Sequence, residues 1–310
     1  MSSANEALSR QFVFIVGAPR SGTTWLHRMI AEHGQIASVD PELTWFSRYL
    51  PPALGNFERE KQHIDKGDWQ QGLPILFSPE EMMHGLRELT GIVYERVLRT
   101  RSTATHIVDK HPNYATHMGT IARILPEARF IHIIRDGREV AASMISAAKR
   151  EHFGAGEVRG AAEDWDRFTR SAMRSGKEFG AQRYIEVRYE DLLKDDGTRL
   201  SSLFGFMGIA VAQAEAAAIV ERNAFGKKTF SAADPKRKAN PGQTWKDRMS
   251  LLERYRFERV AGPLLKELGY AEEGWWANGA ADRATIGLSM PALRIKRAWS
   301  AAWSAFRQEV

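Results

Sequence analysis

Residues 12–33 read FVFIVGAPRSGTTWLHRMIAEH. Phe12 to Val16 is an unbroken run of aromatic and β-branched side chains. Such a run reads as a strand buried on both faces, the habit of parallel sheets. The chain then turns through Gly17-Ala18-Pro19-Arg20-Ser21-Gly22. Two glycines there permit a tight bend and a close approach of backbone to a ligand. Thr23 and Thr24 open a helix with Leu26, Met29 and Ile30 on one face. Strand, glycine-bounded loop and helix N-terminus together make an anion cradle, because free backbone N–H groups and the positive end of the helix dipole converge.

Gly17 and Gly22 have the spacing of a Walker A loop, G-x-x-x-x-G-K-[ST], but Thr23 stands where the lysine belongs. A P-loop NTPase needs that lysine for its β- and γ-phosphates. The cation here lies inside the loop, at Arg20, so the anion expected is not an NTP triphosphate. A strand–turn–helix corner without a ligand needs neither Arg20 nor the Ser/Thr cluster.

The chain of 310 residues suits one large α/β domain or two small ones. It has no cysteine, which excludes disulfides, thiolate metal sites and cysteine nucleophiles. The opening MSSANEALSR lacks the apolar stretch of a secretory signal. No apolar run approaches the roughly eighteen residues of a spanning helix, so a cytoplasmic location is expected. A net charge of +6 fits nucleic acid, acidic membrane or a small polyanion as partner, and does not choose among them.

Past the first helix, Glu42 sits after Pro41 and beside Leu43, Trp45 and Phe46. A carboxylate in such company is either a solvated loop residue or a candidate base. Residues 47–84, with Pro51-Pro52, Gly55, Gly67, Gly72 and Pro74, read as a loop-rich insertion, a substrate lid or a surface excursion. Residues 85–99 return to helical spacing. His106-Ile107-Val108 reads as a short strand, followed by Lys110, His111 and a helix-opening Pro112. Ligands of parallel sheets lie beyond the carboxyl ends of the strands, so Lys110 and His111 face the anion held by Arg20. Residues 129–149, RFIHIIRDGREVAASMISAAK, repeat the strand–turn–helix pattern, with Arg135 in the turn and Ser143 two helical turns on. A guanidinium and a hydroxyl so placed can share one phosphate. Helices are expected over 157–180, 198–208, 213–222 and 249–268, and a strand over 184–187. A basic loop, 223–246, carries Lys227, Lys228, Lys236, Arg237, Lys238 and Lys246. The tail, 285–310, places Ile295, Trp299, Ala302 and Phe306 on one helical stripe with Arg and Lys nearby. It can pack on the domain or lie on a membrane surface as a basic amphipathic helix.

Taken together, in order, these motifs resemble the sulfotransferases that use 3′-phosphoadenosine 5′-phosphosulfate (PAPS), over roughly residues 12–246. The resemblance implies an α/β, P-loop-like three-layer fold with a central, mostly parallel sheet flanked by helices. It implies a sulfotransferase domain over 1–280 and a separate basic tail over 281–310. PRSGTTW resembles the family's 5′-phosphosulfate loop in its arginine version. Arg20, Ser21, Gly22, Thr23 and Thr24 would hold the 5′-phosphate and sulfonate, and Trp25 the adenine face. RDGREVAAS resembles the 3′-phosphate motif, giving Arg135 and Ser143 to that phosphate. RYEDLL puts Tyr189 near the adenine, and AFGKK puts Phe225 on the base. RKANPGQTWK resembles the family's RKG-x-x-G-x-W-K loop and points to Arg237 and Lys238, with Ala239 in place of a glycine and one extra residue before Trp245.

DKHPNY resembles the E-K-[ST]-P-x-Y segment of the glycan-modifying and bacterial branches, which makes Lys110 the catalytic lysine. PELTWF resembles the segment whose Glu acts as base. The small-phenol branch uses a His two residues after the lysine, whereas His111 is one residue after it. Glu42 is therefore the preferred base and His111 the second choice. The reaction implied is sulfuryl transfer from PAPS to a hydroxyl acceptor (a glycan, lipid headgroup or small alcohol), leaving adenosine 3′,5′-bisphosphate. Positioning and charge neutralisation by Arg20 and Lys110 carry such a transfer, with no metal and no nucleic-acid partner. Two other readings are a degenerate P-loop nucleotide kinase, against which Thr23 argues, and a non-catalytic polyanion binder.

Overall fold

The computed structural model describes residues 3–68, 70–151, 155–224 and 244–287. The chain divides into two compact units, one of residues 1–135 and 167–240, the other of 136–166 and 241–310.

The first unit is built on five strands: β1 (Gln11–Val16), β2 (Ile36–Ser38), β3 (His106–Lys110), β4 (Arg129–Ile134) and β5 (Tyr184–Arg188). Their order is β2-β3-β1-β4-β5 and every pairing is parallel. Side chains alternate between the faces of a strand. Val13 and Ile15 of β1 accordingly join Val108, Ile131 and Ile133 in a core with Trp25, Leu26, Met29 and Ile30 of α2 (Thr23–Ala31). Leu200, Leu203 and Phe204 of a helix over Thr198–Met207 and Ile219 of one over Gln213–Arg222 close that core. The other face is aromatic. Phe12 meets Tyr94 edge-on at 5.1 Å, and Phe14 meets Phe46 at 5.4 Å and Tyr114 at 5.8 Å. Helices and sheet thus form the three layers expected.

Residues 47–84 depart from the loop-rich expectation. A π-turn over Trp45–Tyr49 runs into a helix, Leu50–Asp65. Pro51 and Pro52 lie in its first turn, where a missing N–H removes no helical hydrogen bond. Leu50, Leu54 and Phe57 recur at helical spacing and are buried. The next helix, Pro79–Leu98, starts earlier than its apolar stripe suggested, because Ser78 and Glu81 form a capping box. β2 and a short helix α1 over Ser3–Leu8 are elements that pattern reading did not supply.

The second unit carries the helix Gly137–Glu151, the short helix Trp245–Arg248 and the helix Leu251–Glu267. Arg138 organises it. Its guanidinium is paired with Asp136 at 2.7 Å and lies 4.4 Å from the Trp245 ring and 4.9 Å from the Trp275 ring. The Trp245 N–H donates to Glu139 Oε1 at 2.8 Å. Of the tail, residues 285–287 are helical, and 288–310 lie outside the described residues. No described helix is long and apolar enough to cross a membrane.

Candidate active site

In a parallel sheet all carboxyl ends share one edge. The loop after β1 therefore lies on the same edge as Lys110, the last residue of β3, and as Arg135 and Tyr189, which follow β4 and β5. β1 is flanked by β3 and β4, so the chain order switches direction there, the place where open α/β sheets bind ligands.

Both loop glycines have a steric reason. A Cβ on Gly17 would stand 2.5 Å from the Ile133 carbonyl oxygen. Gly22 has φ +102, and a Cβ there would stand 2.6 Å from the Tyr189 ring. Arg20 takes φ 71, an uncommon conformation for a side-chain-bearing residue. Its carbonyl accepts a hydrogen bond from Arg135 Nη1 at 3.2 Å, which ties the loop to the end of β4. No side chain caps α2, whose first N–H groups have no intrahelical partner. Ser21 Oγ is buried with no protein partner among the described residues. The loop thus keeps backbone and hydroxyl donors in reserve, and those donors fit a phosphosulfate.

Lys110 and Asp109 point to opposite faces of β3. Lys110 Nζ donates to Thr24 Oγ1 at 3.1 Å and to Glu42 Oε1 at 2.9 Å. Its side chain is 4 % exposed and that of Glu42 33 %, so the carboxylate is the partner open to a second substrate. His111 Nε2 lies 3.3 Å from Glu42 Oε2. Burial lowers the His111 pKa, against the pull of Glu42 and together with the Lys110 charge. The preferred base, its alternative and the lysine are therefore one cluster.

Arg135 also stacks on Tyr189, 4.4 Å from the ring centroid, and Trp25 meets Tyr189 edge-on at 5.4 Å. Trp25 Nε1 donates to the Asn223 carbonyl at 2.9 Å. Ser143 lies on the helix Gly137–Glu151 of the second unit. Phe225, Arg237 and Lys238 lie outside the described residues.

Sequence reading passed over the support beneath Lys110. Asp109 is buried on the aromatic face and accepts from Tyr94 Oη at 2.6 Å, Tyr114 Oη at 2.9 Å and the Lys110 N–H at 2.7 Å. Burial raises the Asp109 pKa, and the donated hydrogen bonds oppose that rise. A carboxylate directly after Ile107-Val108, inside a short buried strand, was the available signal. His27, buried in α2 with neither ring nitrogen partnered among the described residues, was also passed over. Burial first, then the Lys110 charge, lowers its pKa to about 4. Among the described residues no group of three or more His, Asp or Glu could hold a metal ion.

Among known proteins, this chain is similar to several sulfotransferases. Protein-tyrosine sulfotransferase 1 of Danio rerio is 24% identical over 204 residues, covering 64% of this chain and 53% of the relative. Omega-hydroxy-beta-dihydromenaquinone-9 sulfotransferase Stf3 of Mycobacterium bovis is 26% identical over 245 residues, covering 64% of this chain and 62% of the relative. The chain thus spans about half the length of the tyrosine sulfotransferases it matches. Mouse sulfotransferase SULT7A1, solved in complex with PAP, shares the fold at a TM-score of 0.54 and 15% identity, over 87% of this chain and 94% of that one. The sulfotransferase domain of the Synechococcus PCC 7002 olefin synthase does so at 0.51 and 21% identity, over 82% and 94%. The model of the sulfotransferase family matches residues 12–213, from the first strand through the Gly17–Gly22 loop, Lys110 and Arg135 to Tyr189, and with about two thirds of its length so matched the chain belongs to that family.

Proposed function

We propose that this chain transfers a sulfuryl group from PAPS to a hydroxyl acceptor. The observation that carries the reading is the position of Lys110, in contact with Thr24 of the phosphate loop and with Glu42 at once. In the proposed reaction Glu42 takes the proton of the acceptor hydroxyl. The acceptor oxygen bonds to sulfur as the bond from sulfur to the 5′-phosphate oxygen breaks. Arg20 and Lys110 neutralise the charge left on that oxygen, which is positioning plus electrostatic stabilisation, as in phosphoryl transfer. Ser21 to Thr24 bind the 5′ end and Trp25 and Tyr189 the adenine. Arg135 binds the 3′-phosphate, and Ser143, Phe225, Arg237 and Lys238 keep the donor-binding roles that the family motifs give them.

The two named relatives act, by their names, on a tyrosine and on an ω-hydroxyl group. That supports a hydroxyl acceptor here and leaves its carrier to be found among glycans, lipid headgroups, small alcohols and peptide tyrosines. The basic amphipathic pattern of 285–310 supports a peripheral contact of this chain with an acidic membrane. The test of the activity is transfer of sulfur-35 from labelled PAPS into a whole-cell extract, with and without EDTA. Label in an extract component, insensitive to the chelator, is the expected result. Phosphoryl transfer from ATP with Mg²⁺ and no label from PAPS would identify the degenerate kinase instead.

A further inference from the structure

We propose that His111 is a positioning residue for the base: its ring is fixed as the Nε2–H tautomer, and that polar N–H, 3.3 Å from Glu42 Oε2, holds the carboxylate in place electrostatically. This rests on the reading of Glu42 as base and goes beyond it, because the motif left His111 as a competitor for that role.

The argument starts from the backbone. His111 precedes Pro112, which favours extended conformations at the residue before it. His111 has φ −153 and ψ 133, and it caps the 3-10 turn Pro112–Thr116 with its side chain. The cap is a hydrogen bond from the Asn113 N–H to His111 Nδ1 at 3.2 Å. A backbone N–H only donates, so Nδ1 must present a lone pair. A neutral imidazole has one ring proton, and it is then on Nε2. Nε2 is the atom 3.3 Å from Glu42 Oε2, and an ionised carboxylate only accepts. Nδ1 is thus matched by a donor, and the Nε2–H lies beside a carboxylate oxygen in a close electrostatic contact.

The surroundings hold this arrangement. The His111 ring packs against Tyr114 at 5.3 Å, and Tyr114 Oη is itself bonded to buried Asp109. Ser47 Oγ donates to the Thr44 carbonyl at 3.2 Å and stands 3.4 Å from Nδ1. Burial lowers the His111 pKa, the Lys110, Arg48 and His117 charges act in the same direction, and Glu42 opposes them. For His111 to serve as base through Nε2, the proton would have to sit on Nδ1, facing the Asn113 N–H, donor against donor. In the observed arrangement Glu42 Oε1 accepts from Lys110, and Oε2 lies 3.3 Å from His111 Nε2. Each carboxylate oxygen keeps a second lone pair for the acceptor.

Two measurements test the proposal. The first is long-range proton–nitrogen NMR on the full chain with nitrogen-15 histidine, assigned by loss of one spin system in His111→Asn. The Nε2–H tautomer is expected at neutral pH. The Nδ1–H tautomer or a charged ring would overturn the proposal without an activity assay. The second is label transfer from PAPS into whole-cell extract by four variants, each checked for folding by its thermal shift with adenosine 3′,5′-bisphosphate. Asparagine offers an oxygen to the Asn113 N–H and an amide N–H to Glu42, but no basic nitrogen. His111→Asn should therefore keep turnover within a few-fold of wild type. His111→Ala should lose about tenfold, and His111→Asp, which caps the turn but repels Glu42, should lose more. Glu42→Gln should lose about a hundredfold or more. His111→Asn as inactive as Glu42→Gln would overturn the positioning role. An active Glu42→Gln beside an inactive His111→Asn would instead overturn Glu42 as base.

Discussion

Lys110 Nζ lies 2.9 Å from Glu42 Oε1 and 3.1 Å from Thr24 Oγ1, so one buried cation touches both the proposed base and the helix that begins at the phosphate loop. The two partners call for different outcomes on mutation. Glu42→Gln keeps an oxygen to accept from Lys110 but takes no proton. Turnover should fall about a hundredfold or more, and the affinity for adenosine 3′,5′-bisphosphate should change little. Lys110→Met keeps the length of the side chain and removes its charge. It should cut turnover and weaken the bisphosphate as well. Calorimetric titration of both variants checks the split, and equal loss of donor affinity in the two would assign Glu42 to donor binding.

Arg135 donates to the Arg20 carbonyl and stacks on Tyr189, so it anchors the loop while its charge stands beside the proposed adenine site. The expectation for Arg135→Ala concerns selectivity. Wild-type protein should be stabilised against heat by adenosine 3′,5′-bisphosphate far more than by 5′-AMP, and the variant should respond to the two alike. Equal responses in the wild type would remove Arg135 from the 3′-phosphate.

Much of this site was legible because its chemistry is local in sequence. The loop from Gly17 to Trp25 declares itself through glycines that only Ile133 and Tyr189 explain sterically. Lys110 declares itself as the last residue of a strand and Arg135 as the residue after one. Asp109 did not, because its partners Tyr94 and Tyr114 are brought to it by a helix and a turn from either side of β3. The helix Leu50–Asp65 was misread because its prolines count as breakers everywhere except in the first turn, where they fall. The contact of His111 with Glu42 joins two motifs sixty-nine positions apart, a pairing that spacing along the chain does not express.

The carboxylate of Asp109 is enclosed, and each phenol that donates to it offsets part of the penalty of burial. Tyr94→Phe and Tyr114→Phe remove one hydroxyl each and leave the ring packing intact. Each should lower stability by about 1.5–3 kcal/mol, the range for a hydrogen bond to a charged group. Since Asp109 also accepts the Lys110 N–H, turnover should fall with stability, and with little change in donor affinity. Urea denaturation beside label transfer measures both. An unchanged midpoint in Tyr114→Phe would mean that the bond to Asp109 contributes nothing to stability.

His27 sets a pH dependence of stability that can be read without any substrate. Its ring is buried with no hydrogen-bond partner among the described residues, and burial followed by the Lys110 charge lowers its pKa from 6.5 to about 4. Above pH 6.5 the ring is neutral in the folded and unfolded chain alike, and stability does not depend on it. Between there and about pH 4 the unfolded chain binds a proton that the folded chain refuses, so stability falls as pH falls. Across that window the loss is roughly 3 kcal/mol. His132, lowered to about 3 by burial, acts in the same direction and extends the decline. His27→Leu removes one titrating group and keeps an apolar side chain in the enclosure. Its stability, from urea denaturation at pH 7, 6 and 5, should decline with a slope shallower than wild type by about 1.4 kcal/mol per pH unit in the acid part of the range. Parallel slopes for the two proteins would show that His27 is protonated, or solvated, in the folded chain.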